Sequence, residues 1–473
     1  MGLLAGAFLY LLCLSGSLIV MHEEWQRWEQ PSVPETPAIA PIAVQRAVET
    51  VLASEAGRKP TTHLYVHLPS DALPRTVVTT DHGAVYVDAA GSPVAPEAHA
   101  WTEFLIALHY YLHLPRTWGL IAVGALGVML ASLIFGGVLA HPRIMRDAFL
   151  LRARGDARVA LADWHNRLGV WTLPFGLAVS ITGALLGLAT LMAWVMAATW
   201  HGGDTRRVFA PVFGEEPAPR AAPASVADVA AALGHMARAH PGVRPSYVIL
   251  HDPGTEGQYL QVLGDHPHRL IFGEYYAFDA SGRFTRKIGM SDGALGKQLA
   301  ASVYKLHFGS FGGLPVKLAY ILLGLAMTVV SATGMSIWLL KRRRRGRASP
   351  RLEAMWATAV WGSPVLLALA FCLRAAAGPD APMTGFFWGG LATLATAAAL
   401  SPDAARWSSA LRFALGLLLA GVGLIHAAAS AFPALGPMAI NAVLVAAGAA
   451  VLLPSLARRA GRHAEAAELG FAE

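Results

Sequence analysis

The sequence predicts an integral membrane protein, mainly α-helical, with about eight transmembrane helices and two α+β modules outside the bilayer. Three observations predict this. Of 473 residues, 55% are hydrophobic and only 14% charged, and the mean hydropathy is positive, so the apolar residues exceed what one soluble core could bury. Apolar runs long enough to cross a hydrocarbon layer of about 30 Å recur near 2–21, 118–140, 168–200, 315–340, 356–375, 384–400, 410–430 and 437–456. The stretches 22–104 and 201–312 instead alternate short apolar strands with turn formers.

Residues 1–21 are the first span. The run MGLLAGAFLYLLCLSGSLIV lacks a basic leader and passes into charged MHEEWQRW rather than a small-residue cleavage site, so it is expected to persist as a helix. In the first outside module, 22–104, PIAVQRAVETVLASEAG carries helical apolar spacing, and THLYVHLP, TVVTT and AVYVDAAG alternate as strands. Residues 105–140 make the second span, 141–164 a basic loop and 165–200 the third span. The second module, 201–312, repeats the plan: a helix in SVADVAAALGHMARAHPG with Ser225 as its N-cap, then strands in PSYVILHD, QYLQVLGD, EYYAFDASG and RFTRKIG. Matching D-x-x-G turns at Asp88 and Asp279 point to an internal duplication. The fourth span, 313–340, meets the basic linker 341–355, and four further spans fill 356–456 before the tail 457–473.

Charge orients these elements. Arg143, Arg146, Arg152, Arg154 and Arg158 lie in the first basic loop, KRRRRGR opens the linker, and Arg458, Arg459 and Arg462 lie in the tail. The positive-inside rule places all three segments and both termini in the cytoplasm, and both modules on the other side. The net charge of +7 is therefore a topology signal and not a nucleic-acid surface. Cys13 and Cys372 both fall inside spans, which excludes a disulfide framework, an iron–sulfur ligand set and a c-type haem attachment. The absence of H-E-x-x-H, of a Gly-rich phosphate loop and of a dinucleotide fingerprint excludes a zinc protease, an NTPase and a resident NAD(P)H or flavin domain.

Histidines carry the chemistry that remains. His109, His165 and His307 each sit beside a long apolar run, where an imidazole is costly unless it has a partner. Haem iron asks for neutral imidazoles on rigid supports, and helices entering a bilayer provide them. The order of the spans puts His109 and His307 at the outer level, as an axial pair, and His165 at the inner level, about a bilayer away. His113, four residues after His109, is the reserve ligand, and His141 is a candidate partner for His165. Asp163 either orients His165 or starts its helix. The glycines of SITGALLGL, FGSFGGL and SATG are read first as helix-packing positions. Spans five to eight carry few polar residues besides Arg374, His426 and Asn441, which disfavours a transport path.

Four segments, around Leu14–Val20, LHYYLHLPRTWG at 108–119, DWHNRLGVWTLPFGLAVSITGALLGL at 163–188 and LHFGSFGGLPVKLAYILLGLAMTVVSATGMSIWL at 306–339, resemble the PepSY-associated transmembrane family. That family includes iron-regulated membrane proteins and ferric-siderophore reductases, and the likeness covers residues 1–345. The resemblance implies PepSY-like modules, a four-helix core holding b-type haem, a bacterial inner-membrane location and an Fe(III) chelate or ferric siderophore as substrate. Electrons are expected from a membrane quinol or a cytoplasmic donor. Two haems are expected, or one if Met1 is the true start, because the family's histidine before the first helix falls upstream of Met1. Two other classes compete: a haem-free membrane protein whose modules bind peptides or restrain a peptidase, and a permease for iron or its chelator.

Overall fold

The computed structural model describes residues 2–140, 143–147, 149, 157–213, 220–267, 269–291, 293–430 and 435–470. In chain order the first half contains α1 (Gly2–Ile19), α2 (His22–Glu29), α3 (Pro41–Ser54), β1 (His63–His67), β2 (Thr76–Thr80), β3 (Gly83–Val87), β4 (Pro93–Pro96), α4 (Ala100–Tyr111), α5 (Arg116–Ala140) and α6 (Ile144–Asp147). Then come α7 (Ala157–Trp171), α8 (Leu173–Gly187), α9 (Ala189–Trp200), α10 (Thr205–Phe213), α11 (Val229–Ala239), β5 (Arg244–His251), β6 (Tyr259–Asp265), β7 (Glu274–Phe278), β8 (Phe284–Ile288) and α12 (Leu295–Phe308). The last helices are α13 (Gly313–Arg344), α14 (Pro350–Ala357), α15 (Ser363–Ala377), α16 (Met383–Leu400), α17 (Ala404–Ala429) and α18 (Leu435–Gly470), with a π-helical turn at Thr358–Gly362. Two compact units result, one from residues 1–32, 99–181 and 318–473, the other from 33–98 and 182–317.

Among the described residues seven helices are long and apolar enough to cross a membrane, and eight spans result if the bent pair Val159–Trp171 and Leu173–Gly187 counts as one. The third span differs from the expected 165–200. Its two halves meet at 65°, it ends at Gly187, and α9 is a separate short helix. Pro174 explains the bend, since it has no N–H to donate and its ring crowds the carbonyl of Val170. The second span is also divided. Leu112 and His113 both take positive φ, 53° and 57°, so α4 stops there and α5 starts afresh after Pro115.

In the second unit the two modules share a single antiparallel sheet of eight strands, in the order β4-β3-β2-β1-β5-β6-β7-β8. Two four-stranded meanders are joined through their first strands, with Tyr65 opposite Ile249 at the centre. Helices α3 and α11 cover one face, where Val44, Val48, Val229 and Met236 bury against Leu64, Val66, Val248 and Leu250. The duplicated turns match in detail. The Asp88 carboxylate accepts from the N–H groups of Ala90 and Ser92, both at 2.9 Å, and the Asp279 carboxylate from those of Ser281 and Arg283, both at 3.0 Å. Gly91 and Gly282 supply the positive φ of these turns, 83° and 72°. The N-cap of α11 is Asp228, whose carboxylate accepts from Ala231 N–H at 2.7 Å, and not the expected Ser225, since the helix begins only at Val229. Edge strands are guarded by Pro93 and Pro96 on β4 and by Arg286 and Lys287 on β8.

A buried carboxylate locks the far end of the sheet. Glu274 accepts from Met290 N–H (3.0 Å), Ser291 N–H (2.8 Å) and the Ser291 hydroxyl (2.5 Å), and lies 2.7 Å from Nε2 of His266. Burial alone would raise its pKa, but these hydrogen bonds and Lys287 outweigh it and bring the value down to about 2.

Candidate functional site

The three histidines share one local arrangement: each ring lies on a Ser-Gly or Thr-Gly pair of a neighbouring helix. His109 is in the last turn of α4 and rests on Ser15-Gly16 of α1. His307 is in the last turn of α12 and rests on Thr182-Gly183 of α8. His165, in α7, rests on Thr333-Gly334 of α13. The hydroxyls stand 3.2, 3.0 and 3.0 Å from the respective Nδ1 atoms. A Cβ built on the glycine would stand only 2.8, 2.8 and 3.1 Å from the respective Cε1 atoms. Glycine is therefore required for close approach here, and the hydroxyl beside it sets the ring's rotation.

The hydroxyls also select the tautomer. Ser15 donates its proton to the carbonyl of Leu11 at 2.8 Å, and Thr333 donates to that of Val329 at 2.7 Å. Each oxygen can then only accept from its imidazole, so Nδ1 carries the proton. The carbonyl of Leu12, 3.1 Å from Nδ1 of His109, requires the same assignment. A neutral ring protonated at Nδ1 keeps its lone pair on Nε2, which is the form that ligates iron, with the Nδ1 bond raising its basicity. These residues fit a haem axial ligand. Among the described residues no three His, Cys, Asp or Glu side chains gather into a cage for a bare metal ion.

Depth separates two of the seats within the first unit. Gly324 of α13 packs against Ser17 of α1, where a built Cβ would stand 2.5 Å from the Ser17 hydroxyl. Gly334 lies ten residues further along the same helix, about 15 Å at 1.5 Å per residue. Two imidazoles on one metal hold their nitrogens only about 4 Å apart, from bonds near 2 Å. His109 and His165 are therefore too far apart to ligate one metal ion.

The reserve ligand has another task. His113 follows the break at Leu112, so it does not continue the face of α4 that carries His109. Its Nδ1 accepts from Trp388 Nε1–H at 3.1 Å, its Nε2–H donates to the carbonyl of Phe104 at 2.9 Å, and its ring stacks on Phe104. Donor and acceptor are both committed to protein, which removes it as an iron ligand. His141 lies outside the described residues. Asp163 is buried, and the hydroxyl that accepts from Nδ1 of His165 belongs to Thr333.

Two of the three helices that present a histidine, α4 and α12, are firmly held. The carboxylate of Glu29, fully buried, caps α4 by accepting from Trp101 N–H (2.9 Å) and Thr102 N–H (3.0 Å), and it pairs with Arg374 Nε at 2.8 Å. Trp101 Nε1–H donates to the carbonyl of Leu367, and Trp28 Nε1–H to Asn441. His426 lies 2.8 Å from the carbonyl of Trp28 and stacks on its ring. Arg374, His426 and Asn441 thus fasten the C-terminal helices to α2 and α4. In the other unit, Lys305 of α12 pairs with Asp265 at the end of β6, and the Phe272 N–H bonds to the carbonyl of Ala301 at 3.0 Å.

A family model described as the PepSY-associated TM region matches residues 1–341, which include all three histidines and their seats. An uncharacterized protein of Pseudomonas aeruginosa is 28% identical over 261 residues, which make up 53% of this chain and 66% of that protein. The chain thus covers just under two thirds of that relative's length.

Proposed function

The chain belongs to the PepSY-associated TM family, and from that premise we propose that it is a haem b-containing reductase of the bacterial inner membrane, passing electrons across the bilayer to an extracytoplasmic Fe(III) chelate such as a ferric siderophore. The observation that carries the proposal is the thrice-repeated seat, with the levels of the α1 and α13 copies about 15 Å apart when measured along α13. A b-type haem bound at such rings supplies one-electron chemistry, which a transmembrane reductase needs at two levels.

The chain's own residues do the rest. His109, His165 and His307 would hold the haem through Nε2. Ser15, Thr182 and Thr333 orient the rings, while Gly16, Gly183 and Gly334 make room for them. The basic loops keep both termini in the cytoplasm and present the sheet modules to the chelate. Electrons come from a membrane quinol or a cytoplasmic donor, and reduction loosens a hard-oxygen chelator's hold on iron.

Proteoliposomes test this directly. With haem-loaded protein, reductant trapped inside, and ferric citrate plus an Fe(II)-specific dye outside, coloured Fe(II) should form with the wild type and fall to the protein-free rate with His307→Ala. Equal rates for the two proteins would overturn the proposal.

A further inference from the structure

Between α1, α13, α14 and α17, within the first unit, lies an open-sided cavity of about 820 Å³. That volume falls within the range of sites for medium-sized organic ligands, about 300–1,000 Å³. Its walls are the apolar faces of spanning helices, with Leu14, Leu325, Val329 and Leu415 among them. One end is charged. Arg343 pairs there with Glu353, and Arg412 lies 4.6 Å over the ring of Trp361. The π-helical turn Thr358–Gly362 contributes Val360 and Trp361 to the wall, and the Val360 carbonyl is fixed by the Tyr10 hydroxyl at 2.6 Å. Single π turns inside helices recur at functional sites, since the extra residue shifts the register of the wall.

Thr333 ties this cavity to the redox site. It lines the wall, and its hydroxyl is the one that orients His165. Neither His165 nor Gly334 is a wall residue, so this is not the space in which an iron on His165 would stand. A ligand here must be apolar along most of its length, polar at one end and soluble in the bilayer. It must also be useful one side chain away from the inner ligand. An isoprenoid quinol has all four properties, whereas a phospholipid tail lacks the redox-active head.

We propose that this cavity is the electron-donor site and binds a membrane quinol, with its ring toward Thr333 and Glu353 and its tail along the apolar helix faces. The inference rests on the reductase reading and names its donor. Oxidation of one quinol to the quinone breaks two O–H bonds. Two electrons leave to reduce two Fe(III) chelates, and two protons pass by way of Glu353 to the aqueous side of the basic linker. Glu353 is suited to that relay because its side chain is 17% exposed, in reach of both the cavity and water.

The test uses the full chain in detergent with decylubiquinone as the probe. Equilibrium binding should show one quinone per chain in the wild type and at least a tenfold loss of affinity in Ala332→Phe, which fills the cavity. Glu353→Gln keeps the shape but takes no proton, so quinone binding should persist while haem reduction by decylubiquinol slows about a hundredfold, the usual worth of a general base. Dithionite should still reduce both variants fully. Absence of quinone binding in the wild type, or wild-type quinol kinetics in Glu353→Gln, would overturn the donor site. A wild type that binds quinone but holds no haem would sink the reductase reading and leave the quinone site standing.

Discussion

Gly183→Ala is the most telling single change, because it adds one methyl group and alters no charge. That methyl carbon would stand 2.8 Å from Cε1 of His307, whereas carbon pairs settle at about 3.5–4.0 Å. The ring must therefore retreat by roughly 0.7–1.2 Å, and metal–ligand bonds tolerate only about 0.2 Å. Retreat also stretches the 3.0 Å bond to Thr182, and losing a metal ligand's supporting bond typically costs about 10–100-fold in affinity. Against this, Ala in place of Gly inside a helix should stabilise α8 by about 1 kcal/mol. Haem occupancy and fold stability should thus move in opposite directions. Gly136→Ala in α5 is the control, since a Cβ there meets nothing within 4 Å. The assay is haem per purified chain, from the reduced-minus-oxidised visible spectrum, alongside the unfolding temperature. Wild-type haem content in Gly183→Ala would refute the reasoning that the glycine exists to admit the imidazole.

Three further outcomes follow from the geometry. Arg374→Met strands the buried carboxylate of Glu29 and should cost about 3–5 kcal/mol, read as a lower unfolding temperature with loss of the haem at His109; a second change, Glu29→Met, should restore part of the stability. His113→Ala should lower the unfolding temperature yet leave haem per chain unchanged, in contrast to His109→Ala, and equal haem loss in both would restore His113 as a ligand. Glu274 has a folded pKa near 2 against an ordinary 4.5, so its ionised bonds stabilise the sheet fully above about 4.5 and that stability is lost as pH falls toward 2. The gap in unfolding temperature between wild type and Glu274→Gln should therefore narrow from pH 5 to pH 3, and an unchanged gap would contradict this.

Spans and duplication were legible because each is a local signal. A 20-residue apolar run is set by bilayer thickness, and Asp88 and Asp279 form their turns with residues at most four positions away. The seats were not legible. ITGA and ATGM read as helix-packing glycines until the structure shows which imidazole lies on each, and SGS of α1 drew no reading of its own, although the recurrence of Ser/Thr-Gly in three spans was a signal available in the sequence. The pairing of β1 with β5 bridges residues nearly two hundred positions apart, and nothing local in HLYVH or RPSYVILH specifies it. His113 misled because helical spacing was extended through Leu112, a residue that adopts the left-handed conformation. Pro174 was in plain view, but its bend was hidden within an apolar run long enough to pass for one straight helix.

The measurement that bears most directly on the central claim is haem stoichiometry in the purified full chain, comparing the wild type with His165→Ala and His307→Ala. The account predicts low-spin b-type spectra, with each substitution removing a different spectral component while membrane insertion and helicity persist. A wild-type protein that carries no haem after expression with haem in excess, or variants that both keep the wild-type spectrum, would contradict it.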